Sequence, residues 1–157
     1  MKYYPIAIRV DDKPITVVGA GPVAERKILS LLKAGASVKV ISPNLTTKLK
    51  RLVKKDQLAW RRGPVKKIDL REGCIVIAAT SDTRVNENVS NWARQKKSWV
   101  NVVDRAALSD FISPAILRKR RIILAVYTDG RDPELSRDLK NFLEENWDEF
   151  LSYRNRS

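Results

Sequence analysis

The 157-residue chain has no histidine and a single cysteine, Cys74. Without histidine there is no imidazole for acid–base catalysis, no Ser-His-Asp triad and no usual zinc ligand. One cysteine excludes an intramolecular disulfide and a Cys-rich metal centre, so no metal site is expected. Cys74 lies in an apolar run and reads as a small core residue rather than a nucleophile. No apolar run approaches the roughly 20 residues that span a bilayer. The opening Met1-Lys2-Tyr3-Tyr4-Pro5 lacks a signal-peptide core. No membrane partner is therefore expected, and the expected setting is cytoplasmic. Chemistry must come from carboxylates, hydroxyls, backbone groups or a borrowed cofactor.

Acidic residues are also in deficit. There are 18 Asp+Glu against 31 Lys+Arg, a formal net charge of +13. One basic cluster holds Lys48, Lys50, Arg51, Lys54, Lys55, Arg61, Arg62, Lys66 and Lys67; another is Arg118-Lys119-Arg120-Arg121. Such clusters read either as solvated surface or as attraction for a polyanion. No zinc-finger, helix-turn-helix or RNA-recognition signature accompanies them, so no nucleic-acid partner is expected. An NAD-responsive nucleic-acid-binding regulator is the alternative of another class.

What is present is an alternation of strands and helices. Ile15-Thr16-Val17-Val18 is a β-branched run that reads as a buried strand. From Val23 to Ala34, Ala24, Ile28, Leu31 and Leu32 follow helical spacing, and Gly35 stands where a helix C-cap belongs. Ser37 to Ile41 completes a βαβ unit, for which parallel strands and a right-handed crossover are predicted. A helix over Leu45–Lys54 and a short strand near Leu58–Trp60 follow. Cys74 to Ala79 is almost purely apolar, as for a central strand covered on both faces. Ser81 or Asp82 caps the next helix, whose Val85, Val89, Trp92 and Ala93 share one face, and Trp99–Val103 is a further strand.

The pattern predicts an α/β fold, a Rossmann-like doubly wound parallel sheet over residues 1–113. Residues 114–157 are predicted to form a small C-terminal α+β dimerisation element of one strand and one helix. The strand covers Ile122–Tyr127. The helix carries Leu135, Leu139, Phe142, Leu143, Trp147, Phe150 and Leu151. One strand and one helix cannot bury themselves, so a homodimer is expected.

The sharpest motif is Gly19-Ala20-Gly21-Pro22-Val23-Ala24, a G-x-G-x-x-A between a strand and a helix. The first glycine permits the tight turn, the second lets backbone approach a pyrophosphate, and Ala24 allows close strand–helix packing. The helix N-terminus adds free N–H groups and a positive dipole end. In NAD sites a carboxylate often ends the second strand and reads the adenosine ribose. Here that strand ends Ile41-Ser42-Pro43-Asn44, which leaves Ser42 or Asn44 to bond the ribose hydroxyl. No arginine clamp for a 2′-phosphate stands there either, and NAD is the expected cofactor. Thr80-Ser81-Asp82 follows the central strand at its C-terminal end, where open α/β sheets bind ligands. Thr80 and Ser81 are therefore candidate cofactor contacts. Asp104 follows another strand at that same edge, and reads equally as a general base or as a turn-forming aspartate.

Several pieces recur together. Gly19-Ala20-Gly21-Pro22-Val23-Ala24-Glu25-Arg26-Lys27, Ala78-Ala79-Thr80-Ser81-Asp82, Val85-Asn86, Asn101-Val102-Val103-Asp104, Phe111-Ile112-Ser113-Pro114-Ala115-Ile116 and Ala125-Val126 appear in that order. The chain closely resembles the precorrin-2 dehydrogenase family of sirohaem synthesis, from about Pro5 to Leu143. The resemblance implies NAD-dependent oxidation of precorrin-2 to sirohydrochlorin by an intertwined homodimer. It implies Asp104 as the catalytic acid/base. It also implies an NAD site of Gly19, Gly21, Pro22 and Val23, with Pro43 and Asn44 near the ribose. Asn101, Thr128 and Gly130 are the candidate substrate contacts. Some relatives also insert iron, so a bifunctional dehydrogenase and sirohydrochlorin ferrochelatase is the alternative within the family. Precorrin-2 is a polycarboxylate, and a basic cleft would concentrate it by long-range attraction. The loop Thr128-Asp129-Gly130-Arg131-Asp132-Pro133 departs from the family's small-residue Ser-x-Gly-x-Ser-Pro style.

Overall fold

The computed structural model describes residues 3–11 and 13–154. They fall into two compact units, one over Pro5–Phe111 and one over residues 112–154 with Tyr3 and Tyr4.

The first unit holds β1 (Pro14–Val18), α1 (Pro22–Lys33), β2 (Ser37–Ser42), α2 (Thr47–Lys54), β3 (Ala59–Arg62), β4 (Ile75–Ala78), α3 (Thr83–Gln95) and β5 (Trp99–Val102). The strand order is β3-β2-β1-β4-β5, and every pairing is parallel. The chain winds outward from β1 to β3, then returns to the other side of β1 with β4. The crevice between the ends of β1 and β4 is thus the topological switch point, where such sheets bind ligands.

Burial follows the two-residue period of the strands. Val17 packs with Val40, Ala24, Ile28 and Leu49 beneath α1 and α2. Its neighbour Val18 packs with Val76, Ala78, Val89 and Val100 beneath α3. Consecutive residues are buried on opposite faces, which is why the strands read as continuous apolar runs. Cys74 is buried in the second cluster, and its thiol donates to the Arg71 carbonyl at 3.2 Å.

The segment after β5 closes that edge of the sheet. Val100 N–H donates to the Asp110 carboxylate at 2.9 Å, and Val102 N–H donates to Ser109 Oγ at 2.8 Å. Asp110 N–H returns to Val100 O at 2.8 Å. Side chains thus satisfy edge groups that would otherwise invite another strand.

The second unit differs from the expected single strand and single helix. β6 (Ala115–Lys119) and β7 (Ile122–Val126) form an antiparallel hairpin, with Lys119 opposite Ile122. The basic run Arg118–Arg121 conceals its turn, in which Arg120 adopts φ 51°, a left-handed conformation unusual outside glycine and asparagine. The expected helix is two helices, α4 (Pro133–Glu145) and α5 (Trp147–Arg154). Asn146 breaks it. Its backbone N–H and side-chain amide both bond the Phe142 carbonyl, at 3.0 and 2.8 Å, so its side chain competes with the helical ladder. Among the described residues no helix is long and apolar enough to cross a membrane.

Candidate active site

β1 ends at Val18, and the chain turns at Gly19 with φ 105°. Gly19 N–H donates to Ile41 O at 2.9 Å, and Ala79 N–H donates to Val18 O at 2.8 Å. The turn is therefore clamped between the ends of β2 and β4. A Cβ on Gly19 would meet the Ala79 backbone at 2.2 Å, so no larger residue fits. Gly21 is different. It is the N-cap of α1 with φ −73°, and a Cβ there would meet nothing within 4 Å. No side chain caps α1, and Pro22 occupies its first turn. Open space beside Gly21, with uncapped helix N–H groups behind it, fits a pyrophosphate. Val23 is exposed beside the turn, while Ala24 is fully buried against the sheet. When bound, a nicotinamide dinucleotide supplies a hydride acceptor, and Gly19, Gly21, Pro22 and Val23 are the residues that would hold its phosphates.

At the end of β2, Ser42 is buried and Pro43 and Asn44 are exposed. The Ser42 hydroxyl donates to Asn44 O at 2.7 Å, and its carbonyl accepts from Trp60 Nε1 at 3.0 Å and Gly63 N–H at 3.2 Å. Ser42 thus shapes the loop from inside, and Asn44 is the exposed polar side chain. Arg62 lies opposite Ser42 in the β2–β3 register and is exposed. Thr46 caps α2, accepting from Leu49 N–H at 3.3 Å and donating to Glu25 of α1 at 2.5 Å. Glu25 of the glycine-turn motif thereby ties α1 to the start of α2.

After β4, Asp82 caps α3 by accepting from Arg84 and Val85 N–H at 2.9 and 3.2 Å. This decides between Ser81 and Asp82 as the cap, and leaves Ser81 exposed. Thr80 is fixed by Asn86 of α3. Thr80 N–H and Oγ1 both donate to Asn86 Oδ1, at 3.1 and 2.8 Å, and Asn86 Nδ2 donates to Thr80 O at 3.1 Å. The same nitrogen donates to Asp104 Oδ1 at 3.2 Å. Asp104 follows β5 and is exposed. The structure thus joins Gly19, Thr80 and Asp104 at one edge of the sheet, through Ala79 and Asn86.

Asn101, an expected substrate contact, is buried in β5. Its Nδ2 donates to Phe111 O at 2.9 Å, and its Oδ1 is buried with no hydrogen-bond partner among the described residues. In the second unit, the Thr128 hydroxyl bonds Asp132 O and Ser136 Oγ and accepts from Asp132 N–H. It organises the start of α4, where Asp132 accepts from Leu135 N–H at 2.8 Å. Gly130 is exposed in that loop with φ 73°. Among the described residues no group of three or more His, Cys, Asp or Glu side chains could hold a metal ion.

Asn86 was not among the residues expected in the site. It carries no titratable group; the signals pointing to it are its place in the Val85-Asn86 pair and its interruption of an amphipathic helix at a core position. Lys27, on α1, is partly buried. Burial, with a smaller contribution from the charge of Arg26, brings its ammonium down to about 8.

A parallel sheet in this order, with a glycine turn at its switch point, defines a Rossmann-like dinucleotide-binding protein. Residues 6–115 match the family described as "Putative NAD(P)-binding", and the chain belongs to that family. It is 37% identical over 144 residues to a siroheme synthase of Mannheimia succiniciproducens, covering 92% of this chain and 30% of that protein. It is 38% identical over 144 residues to siroheme synthase 3 of Aeromonas hydrophila, covering 92% of this chain and 31% of the other. The chain thus spans under a third of the length of these curated relatives. The solved structure of SirC, precorrin-2 dehydrogenase, superposes with a TM-score of 0.78 at 27% identity, covering 92% of this chain and 71% of that one. These likenesses support the sirohaem-synthesis family and NAD as the cofactor.

Proposed function

We propose that this chain catalyses the NAD-dependent dehydrogenation of precorrin-2 to sirohydrochlorin. The observation that carries the reading is the connection of the Gly19–Ala24 turn to Asp104. A dinucleotide-binding turn and an exposed carboxylate stand at one sheet edge, linked through Ala79, Thr80 and Asn86. Likeness to SirC, precorrin-2 dehydrogenase, supports the substrate.

Dehydrogenation removes a hydride and a proton from the reduced macrocycle. Bound NAD supplies the hydride acceptor. Asp104 takes the proton as general base, with Oδ1 held by Asn86. Gly19, Gly21, Pro22 and Val23 hold the phosphates, Ser42, Pro43 and Asn44 border the ribose, and Thr80 and Ser81 complete the cofactor side. Asn101 supports the site from within β5, and Thr128 and Gly130 shape the loop ahead of α4. The net charge of +13 attracts the polycarboxylate substrate over distance.

Residues 114–157 form the proposed dimerisation element of a homodimer. Leu135, Leu139 and Phe142 are exposed on α4 at spacings of four and three residues, one face of the helix. The cytoplasm is the proposed setting, and neither nucleic acid nor membrane is a proposed partner.

Anaerobic incubation with precorrin-2 and either NAD or NADP tests the reaction. Nicotinamide reduction matching the appearance of the sirohydrochlorin spectrum is the expected result, with NAD preferred. Unchanged precorrin-2 with both cofactors, in protein that binds NAD, would overturn it.

A further inference from the structure

We infer that Asn86 is a positioning residue, coupling the loop on the cofactor side of the site to the acid–base carboxylate; the inference rests on the role proposed for Asp104. Asn86 lies on α3 among the core residues Val89, Ser90 and Ala93 and is 1% exposed. A primary amide at such a depth destabilises the fold unless its hydrogen bonds are made. Asn86 makes four. Oδ1 accepts from Thr80 N–H and Thr80 Oγ1, and Nδ2 donates to Thr80 O and to Asp104 Oδ1. That uses the full capacity of the group, two acceptor sites and two donors.

The chemistry of Thr80 fixes the orientation of the amide. A backbone N–H can only donate and a backbone carbonyl can only accept, so the reversed amide would face donor with donor and acceptor with acceptor. The group turned to Asp104 is therefore an N–H. It holds Oδ1 of a carboxylate whose Oδ2 has no hydrogen-bond partner among the described residues, and which is exposed at the sheet edge. The other side of the amide pins Thr80, whose N–H lies beside the Gly19 turn. One buried side chain thus sets both the carboxylate and a loop on the cofactor side. Among the described residues no other hydrogen bond holds the Asp104 side chain.

Two substitutions weigh on these halves differently. Asn86→Ala removes both, so kcat should fall roughly 10- to 100-fold, as when a partner orienting a reactive group is lost. Its NAD Kd should rise severalfold. Asn86→Asp keeps the shape and the acceptor for Thr80 N–H and Oγ1, but it replaces the amide donor to Thr80 O and Asp104 Oδ1 by a carboxylate oxygen. NAD affinity should fall less than in Asn86→Ala, since two of the three bonds to Thr80 survive, while kcat falls and the pH–rate profile moves to higher pH, because two adjacent carboxylates share a proton. In an Asp104→Asn background, Asn86→Ala should cost nothing further in kcat. A loss of the same size in both backgrounds would show that Asn86 does not act through Asp104. If Asn86→Ala does not fold, Asn86→Asp carries the test. The Asn86 side-chain amide resonance should shift on Asp104→Asn in protein without substrate. An unmoved resonance overturns the inference, whereas an inactive wild type overturns only the proposed reaction.

Discussion

Gly19 and Ala79 meet so closely that a Cβ on the glycine would stand 2.2 Å from the Ala79 carbonyl oxygen and 2.6 Å from its carbon. The obstacle is backbone, and it cannot swing away as a side chain would. The contact brings the turn leaving β1 against the turn leaving β4, the two strands flanking the switch point. Replacing Gly19 by Ala must either separate those strands or move the φ of 105°, which is itself strained for an L-residue. We expect Gly19→Ala to destabilise the fold by about 3 kcal/mol or more, read from the urea midpoint. A variant as stable as wild type would show that the turn relaxes without cost.

Gly21 is the converse case. Its φ of −73° suits any residue, and a Cβ there meets nothing within 4 Å. Gly21→Val should therefore fold normally yet fill the space proposed for pyrophosphate, weakening NAD binding at least tenfold by calorimetry. Unchanged affinity in a folded variant would place the cofactor elsewhere.

Asp104→Asn keeps the shape of the side chain and its contact with Asn86 while losing basicity. Dehydrogenation should fall by ~10²–10⁴-fold, the usual contribution of a positioned general base. NAD binding should survive, because the glycine turn is untouched. Near-normal turnover would make the carboxylate structural and turn attention to Asp82, the carboxylate that follows β4 at the same sheet edge.

Burial holds Lys27 at about 8, against an ordinary value of 10.5. Below pH 8 the lysine is protonated in both folded and unfolded chains, and the native state bears the full penalty of a poorly solvated charge. Between pH 8 and 10.5 the native state gives up its proton first. The unfolded chain then binds more protons, and stability rises with pH through that window. Lys27→Met should stabilise the protein at pH 7 by about 1 kcal/mol, and that advantage should shrink towards pH 10. Paired urea titrations at the two pH values measure it, and an advantage that grows with pH contradicts the assignment.

The exposed α4 face bears on assembly. Phe142 is 59% exposed and Leu135 56%, a large apolar cost if left in water. Replacing Leu139 and Phe142 together by Lys should convert the proposed dimer to monomer in sedimentation. A dimer that persists would put the interface on another surface.

The sequence by itself determined the parallel sheet and its glycine turn. Val17, Val18, Val76 and Ala78 are apolar on both faces, and Gly19-Ala20-Gly21 falls between a β-branched run and a 3.6-period helix, so local pattern and global fold agree. Asp104 was legible too, as a carboxylate just past a strand. Its partner was not. Asn86 and Asp104 are 18 residues apart and meet only because α3 packs over β4 and β5. The β6–β7 hairpin was hidden for a related reason. Its turn is built from basic residues, with Arg120 rather than glycine in the left-handed conformation, so composition marked charge where the backbone reverses. Thr128 and Asn101 have the chemistry of ligand contacts, yet one organises a helix start and the other ties β5 to Phe111. Residue type and spacing determine which groups a chain can offer at a sheet edge. Whether a group faces solvent or is used up by a neighbouring backbone atom is decided only when distant segments pack, because hydrogen bonds act over about 3 Å while sequence pattern reports only neighbours along the chain.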